Sequence, residues 1–209
     1  MRVAVLIYEG TEPIDLATYG VLSMARRVAP QIEMFTVAEQ AGVVTLANGL
    51  RVLADHGYAD APSVDALIIT GGPGWQAQSE SAATLAFIRQ YSRDITVAAV
   101  CTGGMILAAT GLLDGKRATT KREAYGTEIS PLTLMRQRYP AIHALDARLI
   151  DCGPILTGGG VTLCIDMTLY LIEKFLGAEV ARETTRIIEY SAALDANEVR
   201  LPMIRSGRE

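Results

Sequence analysis

Four short stretches, residues 3–8, 32–37, 66–69 and 95–100, are largely apolar and rich in β-branched side chains. They are too apolar for strands with one wet face. They therefore predict strands covered on both sides, as the central strands of parallel sheets are. Between them run segments of helical period, such as 16–28 and 81–91, the second placing Leu85, Ile88 and Tyr91 on one face. Strand and helix in alternation predict an α/β fold: a doubly wound, mostly parallel sheet with helices on both faces.

The remaining pattern fits this flavodoxin-like arrangement. Apolar residues at 43–46 and 52–53 flank Asn48-Gly49, which predicts a two-residue hairpin and a small antiparallel excursion. A second excursion is predicted around 144–156, where residues 151–154 supply turn chemistry. Residues 161–176 are apolar almost all round and predict a buried helix; after the breaker Gly177, residues 179–190 are amphipathic. No linker-like stretch divides the chain, and 209 residues suit one core. Residues 1–190 are read as one α/β domain. Residues 191–209 are read as a C-terminal tail, extended or laid across a neighbour.

Composition excludes several functions. A formal net charge of -4 with scattered basic residues gives no footprint for a phosphate backbone, so nucleic acid is not an expected ligand. The first apolar run is too short to serve as a signal segment or a membrane span. The protein is expected in the cytoplasm. Cys101, Cys152 and Cys164 are odd in number and lack CxxC spacing, and with only His56 and His143 beside them no zinc set is recognisable. Free thiols in a reducing compartment are expected.

The chemistry concentrates at Val100-Cys101-Thr102-Gly103-Gly104, where an apolar strand runs straight into a cysteine, two glycines and a helix-forming segment. A nucleophile on such a strand-to-helix turn is held out of the sheet, and small neighbours allow unusual backbone angles around it. The helix start behind it is expected to favour thiolate. Gly71-Gly72-Pro73-Gly74 follows the preceding strand; it is either a plain tight turn or a source of N–H groups from Gly72 and Gly74 that, with that of Thr102, face an oxyanion. Asp15 follows the first strand, at the sheet edge where ligands bind. Its carboxylate either reaches the cleft of Cys101 or caps a helix, and Glu12 is a weaker candidate for the same role. Asp166, inside the apolar helix, predicts a structural hydrogen bond, and Cys152 and Cys164 are read as structural.

These residues, together with Gly111-Leu112-Leu113-Asp114-Gly115 and Thr157-Gly158-Gly159-Gly160-Val161, resemble the ThiJ/PfpI superfamily over roughly residues 1–190. Within it the chain is most similar to the isocyanide hydratase branch and to sensor domains of AraC-type regulators, marked by Thr102 after the cysteine and Asp15 in place of glutamate. The resemblance implies a small-molecule substrate, a homodimer and a cofactor-free hydration of an isonitrile to an N-formamide. Cys101 and Asp15 would carry that reaction, with Thr102 tuning it. It also leaves open a non-catalytic thiol sensor and a glyoxalase or deglycase activity on small aldehydes. Two departures matter: Thr102 stands where protease-like members have histidine, and Lys121 stands where aldehyde-processing relatives often have histidine.

Overall fold

The computed structural model describes residues 1–205. The chain opens with β1 (Arg2–Leu6), a 3-10 turn (Pro13–Leu16), α1 (Ala17–Ala25) and β2 (Glu33–Ala38). A hairpin of β3 (Gly42–Thr45) and β4 (Arg51–Ala54) and the short β5 (His56–Gly57) follow. Then come β6 (Ala66–Ile69), α2 (Trp75–Glu80), α3 (Ala82–Tyr91), β7 (Thr96–Ala99) and α4 (Gly103–Ala109). A two-strand pair, β8 (Arg117–Ala118) and β9 (His143–Ala144), brackets α5 (Pro131–Arg138). The last part holds β10 (Leu149–Asp151), β11 (Ile155–Gly158), α6 (Leu163–Leu176), α7 (Ala178–Ile187), α8 (Ser191–Arg200) and β12 (Met203–Arg205).

Among the described residues the main sheet runs β12-β10-β11-β7-β6-β1-β2-β5. Its five central strands, β2-β1-β6-β7-β11, are parallel and follow the flavodoxin-like order in which the chain reverses its direction of progress beside β1. Because successive strand residues point to opposite faces, β1 divides its side chains between two cores. Val3, Val5 and Ile7 pack with Val21 and Leu22 of α1 and with Met167, Leu171 and Ile172 of α6. Ala4 and Leu6 pack on the other face with Ile88 of α3, Met105 to Leu107 of α4 and Met135 of α5. All four predicted apolar runs are central strands, and both faces are covered, as their lack of alternation requires.

Three local readings differ. Asn48-Gly49 sits in a longer turn than the two-residue loop expected: Leu46 N–H bonds to Leu50 O at 2.7 Å, and Asn48 (φ 58°) and Gly49 (φ 87°) both take left-handed backbone. The second antiparallel excursion is part of the main sheet, with β10 antiparallel to β11 and β11 parallel to β7. Residues 191–205, read as a tail, form α8 and β12 and dock on the domain. β12 pairs with β10, Asn197 Nδ2 donates to Asp166 Oδ2 at 3.2 Å, and Arg148 meets Glu198 at 3.0 Å. Beside these polar contacts Leu194, Leu201 and Met203 pack inward, too sparse a set to leave an apolar period in the sequence.

Candidate active site

The carboxyl ends of β1, β6, β7 and β11 lie on one edge of the sheet, and each delivers part of one site. After β7, Cys101 adopts φ 53°, a left-handed conformation uncommon outside glycine. Such backbone costs about 1–3 kcal/mol and persists where the surroundings over-determine it. Here they do: Cys101 N–H donates to Gly159 O at 3.0 Å, and its carbonyl accepts from Thr120 Oγ1 at 2.7 Å and Gly104 N–H at 3.3 Å. Gly71, after β6, lets its loop touch the elbow. A Cβ there would stand 2.5 Å from Thr102 N and 2.9 Å from Cys101 Cβ, so no larger residue fits without displacing the nucleophile.

Asp15 lies beside the elbow, beneath the cavity rather than in its lining. It is fully buried, in the 3-10 turn after β1, and its Oδ2 accepts from Gly71 N–H at 2.6 Å. Its Oδ1 has no hydrogen-bond partner of ordinary geometry among the described residues. Burial pushes the Asp15 carboxyl up to about 7; Gly71 N–H pulls it back, the Glu12 charge adds to the rise, and the Cys101 thiol partly offsets it. The two groups thus act on each other electrostatically, and no hydrogen bond of ordinary geometry joins them.

The thiol itself departs from expectation. Cys101 is 3% exposed, and burial and then the Asp15 charge push it up to about 12, against the pull of the Val161 and Thr102 N–H groups and the Lys121 ammonium. The helix start behind it does not yield a resting thiolate, because desolvation and a neighbouring carboxylate outweigh the partial charges there. At neutral pH the pair consists of a thiol beside a half-ionised carboxyl.

Gly72 and Gly74 do not offer free N–H groups. That of Gly72 donates to Thr102 Oγ1 at 2.8 Å, and that of Gly74 to Gly10 O at 3.2 Å. The loop is scaffold, and the donors that face sulfur are the N–H groups of Thr102 and Val161. Val161 (φ 55°) was not singled out by sequence; its signal was the Gly158-Gly159-Gly160 run before it, whose glycines admit close packing. Thr102 uses its hydroxyl to tie the elbow to the Gly72 loop. Tyr8 was also missed: its hydroxyl donates to Thr70 O at 3.1 Å, and burial, then Asp15 and Cys101, push its pKa well up.

Cys101, Thr102, Val161, Glu12 and Lys121 open on a cavity of about 880 Å³, walled by Ile14, Pro73, Trp75, Ile129 and Leu134. Cys164 lies beneath the site, its Sγ 3.7 Å from Ile14 O, one residue before Asp15. Cys152 sits in the β10–β11 turn at the opposite sheet edge, donating to Arg117 O. Asp166 is structural as expected, held by Arg148, Tyr190 and Asn197. His56 and His143 lie on β5 and β9, away from the cavity.

Residues 1–174 match the model of the DJ-1/PfpI family. The chain belongs to that family. This DJ-1/PfpI protein is 32% identical over 195 residues to an isonitrile hydratase of Pseudomonas putida, covering 92% of this chain and 80% of that one. It is 33% identical over 150 residues to the HTH-type transcriptional regulator GbdR of Pseudomonas aeruginosa, covering 70% of this chain but 38% of the regulator. Among solved structures, a ThiJ/PfpI family protein from Pseudomonas syringae superposes with a TM-score of 0.78 at 25% identity, over 91% of this chain and 75% of that one. Drosophila melanogaster DJ-1beta shares the fold, with a TM-score of 0.74 at 20% identity over 90% and 97%. Among the described residues no helix is long and apolar enough to cross a membrane.

Proposed function

We propose that the protein hydrates an isonitrile to an N-formamide in a cysteine-dependent reaction that needs no cofactor. The observation that carries this reading is the buried pairing of Cys101 with Asp15, a carboxyl raised to about 7 and so able to give and take a proton at neutral pH. The 32% identity to an isonitrile hydratase supports the choice of substrate. Because the thiol is protonated at rest, Asp15 carboxylate takes its proton as sulfur attacks the terminal carbon of the isonitrile. It then hands that proton to the same carbon, giving a thioimidate. Asp15 next takes a proton from water, whose oxygen adds to the thioimidate carbon, and passes that proton to the nitrogen. Collapse breaks the carbon–sulfur bond, and the proton of the new hydroxyl returns through Asp15 to sulfur. The sum is isonitrile plus water to formamide.

The N–H groups of Val161 and Thr102 stabilise negative charge as it develops on sulfur, and the burial of Cys101 shields the thiol from bulk water. An odd number of cysteines without CxxC spacing supports a reducing, cytoplasmic setting. Formamide release from a simple aromatic isonitrile tests the reading: wild type is expected to turn over and Cys101→Ala is not. A thiol sensor is the second reading, favoured by the similarity to a transcriptional regulator. Stoichiometric modification of Cys101 without turnover across a substrate panel would establish it instead.

A further inference from the structure

Lys121 lines the cavity, and its charge acts on Cys101 with the sign opposite to that of Asp15. Its backbone is fixed at both ends. Thr120, just before it, bonds to the Cys101 carbonyl, and the Lys121 carbonyl accepts from Leu132 N–H at 3.0 Å. Its stem lies on Gly160, where a Cβ would stand 2.5 Å from Lys121 Cγ, so the glycine beside Val161 is what leaves room for it. Yet the ammonium is paired with no carboxylate among the described residues; its partner is the backbone carbonyl of Glu123 in the same loop. A half-buried cation beside a nucleophile, held by a neutral and exchangeable acceptor, is poised to take a better one.

We propose that Lys121 is a specificity-determining residue that selects substrates carrying a carboxylate on the group attached to the reacting carbon. With that carbon at Cys101 Sγ, the attached group extends along Trp75 and Leu134, and its anionic end replaces the Glu123 carbonyl on the ammonium. Glu12 and Glu128 line the same cavity, so its overall charge does not attract an anion. The selection is a contact made at Lys121. It rests on the hydratase reading only for the identity of the reacting group.

The test separates the two. Cys101 is alkylated in parallel with iodoacetate, an anion, and iodoacetamide, its neutral counterpart, with the adduct followed by peptide mapping. In each case sulfur displaces iodide as the carbon–sulfur bond forms, and the thiol proton leaves to Asp15 or solvent. Dividing one rate by the other cancels any effect of Lys121 on thiol reactivity. The iodoacetate-to-iodoacetamide ratio is expected to fall roughly tenfold in Lys121→Met, the scale of a charge-assisted hydrogen bond, and to recover in Lys121→Arg. A ratio equal in wild type and Lys121→Met overturns the proposal. In the hydration assay, kcat/KM for an aryl isonitrile bearing a carboxylate, relative to the parent compound, should fall by the same factor and mainly through KM. If no isonitrile is hydrated but the alkylation ratio still follows Lys121, the hydratase reading falls and the anion selection stands.

Discussion

Replacing Asp15 by asparagine should stabilise the protein while destroying its chemistry, and the gain should depend on pH in a defined window. An unfolded aspartate ionises near 3.8, whereas burial holds Asp15 to about 7 in the fold, a rise of roughly three pH units. At about 1.36 kcal/mol for each, holding this carboxylate ionised inside the protein costs about 4 kcal/mol once the pH exceeds 7. Asp15 is fully buried, so solvent screening does not reduce the figure appreciably. Between about pH 4 and 7 the native state keeps a proton that the unfolded chain has released. Stability therefore falls as pH rises through that window and levels off above it. Asparagine carries no such term, and its side-chain oxygen can still accept from Gly71 N–H. Urea titrations at about pH 5 and pH 8 would compare the two proteins, other titrating groups cancelling in the difference. The advantage of Asp15→Asn should grow by about 3 kcal/mol between the two conditions, a change of about 1 M or more in relative midpoint. An advantage of equal size at both pH values would show that Asp15 is not held neutral by burial, and the proton shuttle built on it would fail.

Other consequences are open to direct measurement. Initial rates of hydration should rise with pH through about 7, as Asp15 becomes the carboxylate that accepts the thiol proton, and a rate flat across that range would remove it as the base. Thr102→Val leaves the buried Gly72 N–H without its acceptor, so thermal unfolding should register a loss of about 1–3 kcal/mol, with turnover down roughly tenfold. Asp15→Asn removes a negative charge beside Cys101, so the ultraviolet absorbance of the thiolate should appear at lower pH than in wild type; an unchanged titration would mean the two groups do not interact. We also propose a homodimer, with Val43, Leu50 and Leu53 exposed on the β3–β4 hairpin as its apolar contact. Light scattering at micromolar concentration should give twice the chain mass, and Leu53→Glu should halve it.

Much of this architecture is legible in the sequence because parallel strands leave a coarse mark. Residues 3–6, 66–69 and 96–99 are buried on both faces and so cannot alternate, and the pattern survives any local detail. The elbow is legible for a similar reason: an apolar strand ending in Cys-Thr-Gly-Gly has few structural uses. What escapes is whatever depends on approach between distant segments. That Gly72 N–H is consumed by Thr102 is a contact across 30 positions, and the approach of Val161 to Cys101 spans 60. The state of the thiol escaped for an energetic reason. The helix start acts locally and can be read from neighbours, while desolvation and the Asp15 charge belong to the assembled cleft. Helix α8 escaped because Leu194 by itself makes no apolar stripe and much of the attachment runs through Arg148, Asp166 and Asn197.

A thiol at about 12 beside a carboxyl at about 7 first looks like a poor nucleophile. For a substrate whose reacting group is neutral the arrangement has a clear logic. A resting thiolate on a side chain this deeply buried would itself be costly, and an anion stabilised before the reaction gains nothing in the transition state. When Asp15 removes the thiol proton as sulfur attacks, negative charge appears on sulfur only during the reaction. It then meets the Val161 and Thr102 N–H groups and the Lys121 ammonium, already in place. Their placement depends on backbone that is unfavourable in isolation, Cys101 at φ 53° and Val161 at φ 55°, locked by Gly159, Thr120 and the Gly71 loop. The folding energy held in that strain is what keeps the donors fixed while charge moves, and a cleft able to relax around a resting thiolate would lose the advantage.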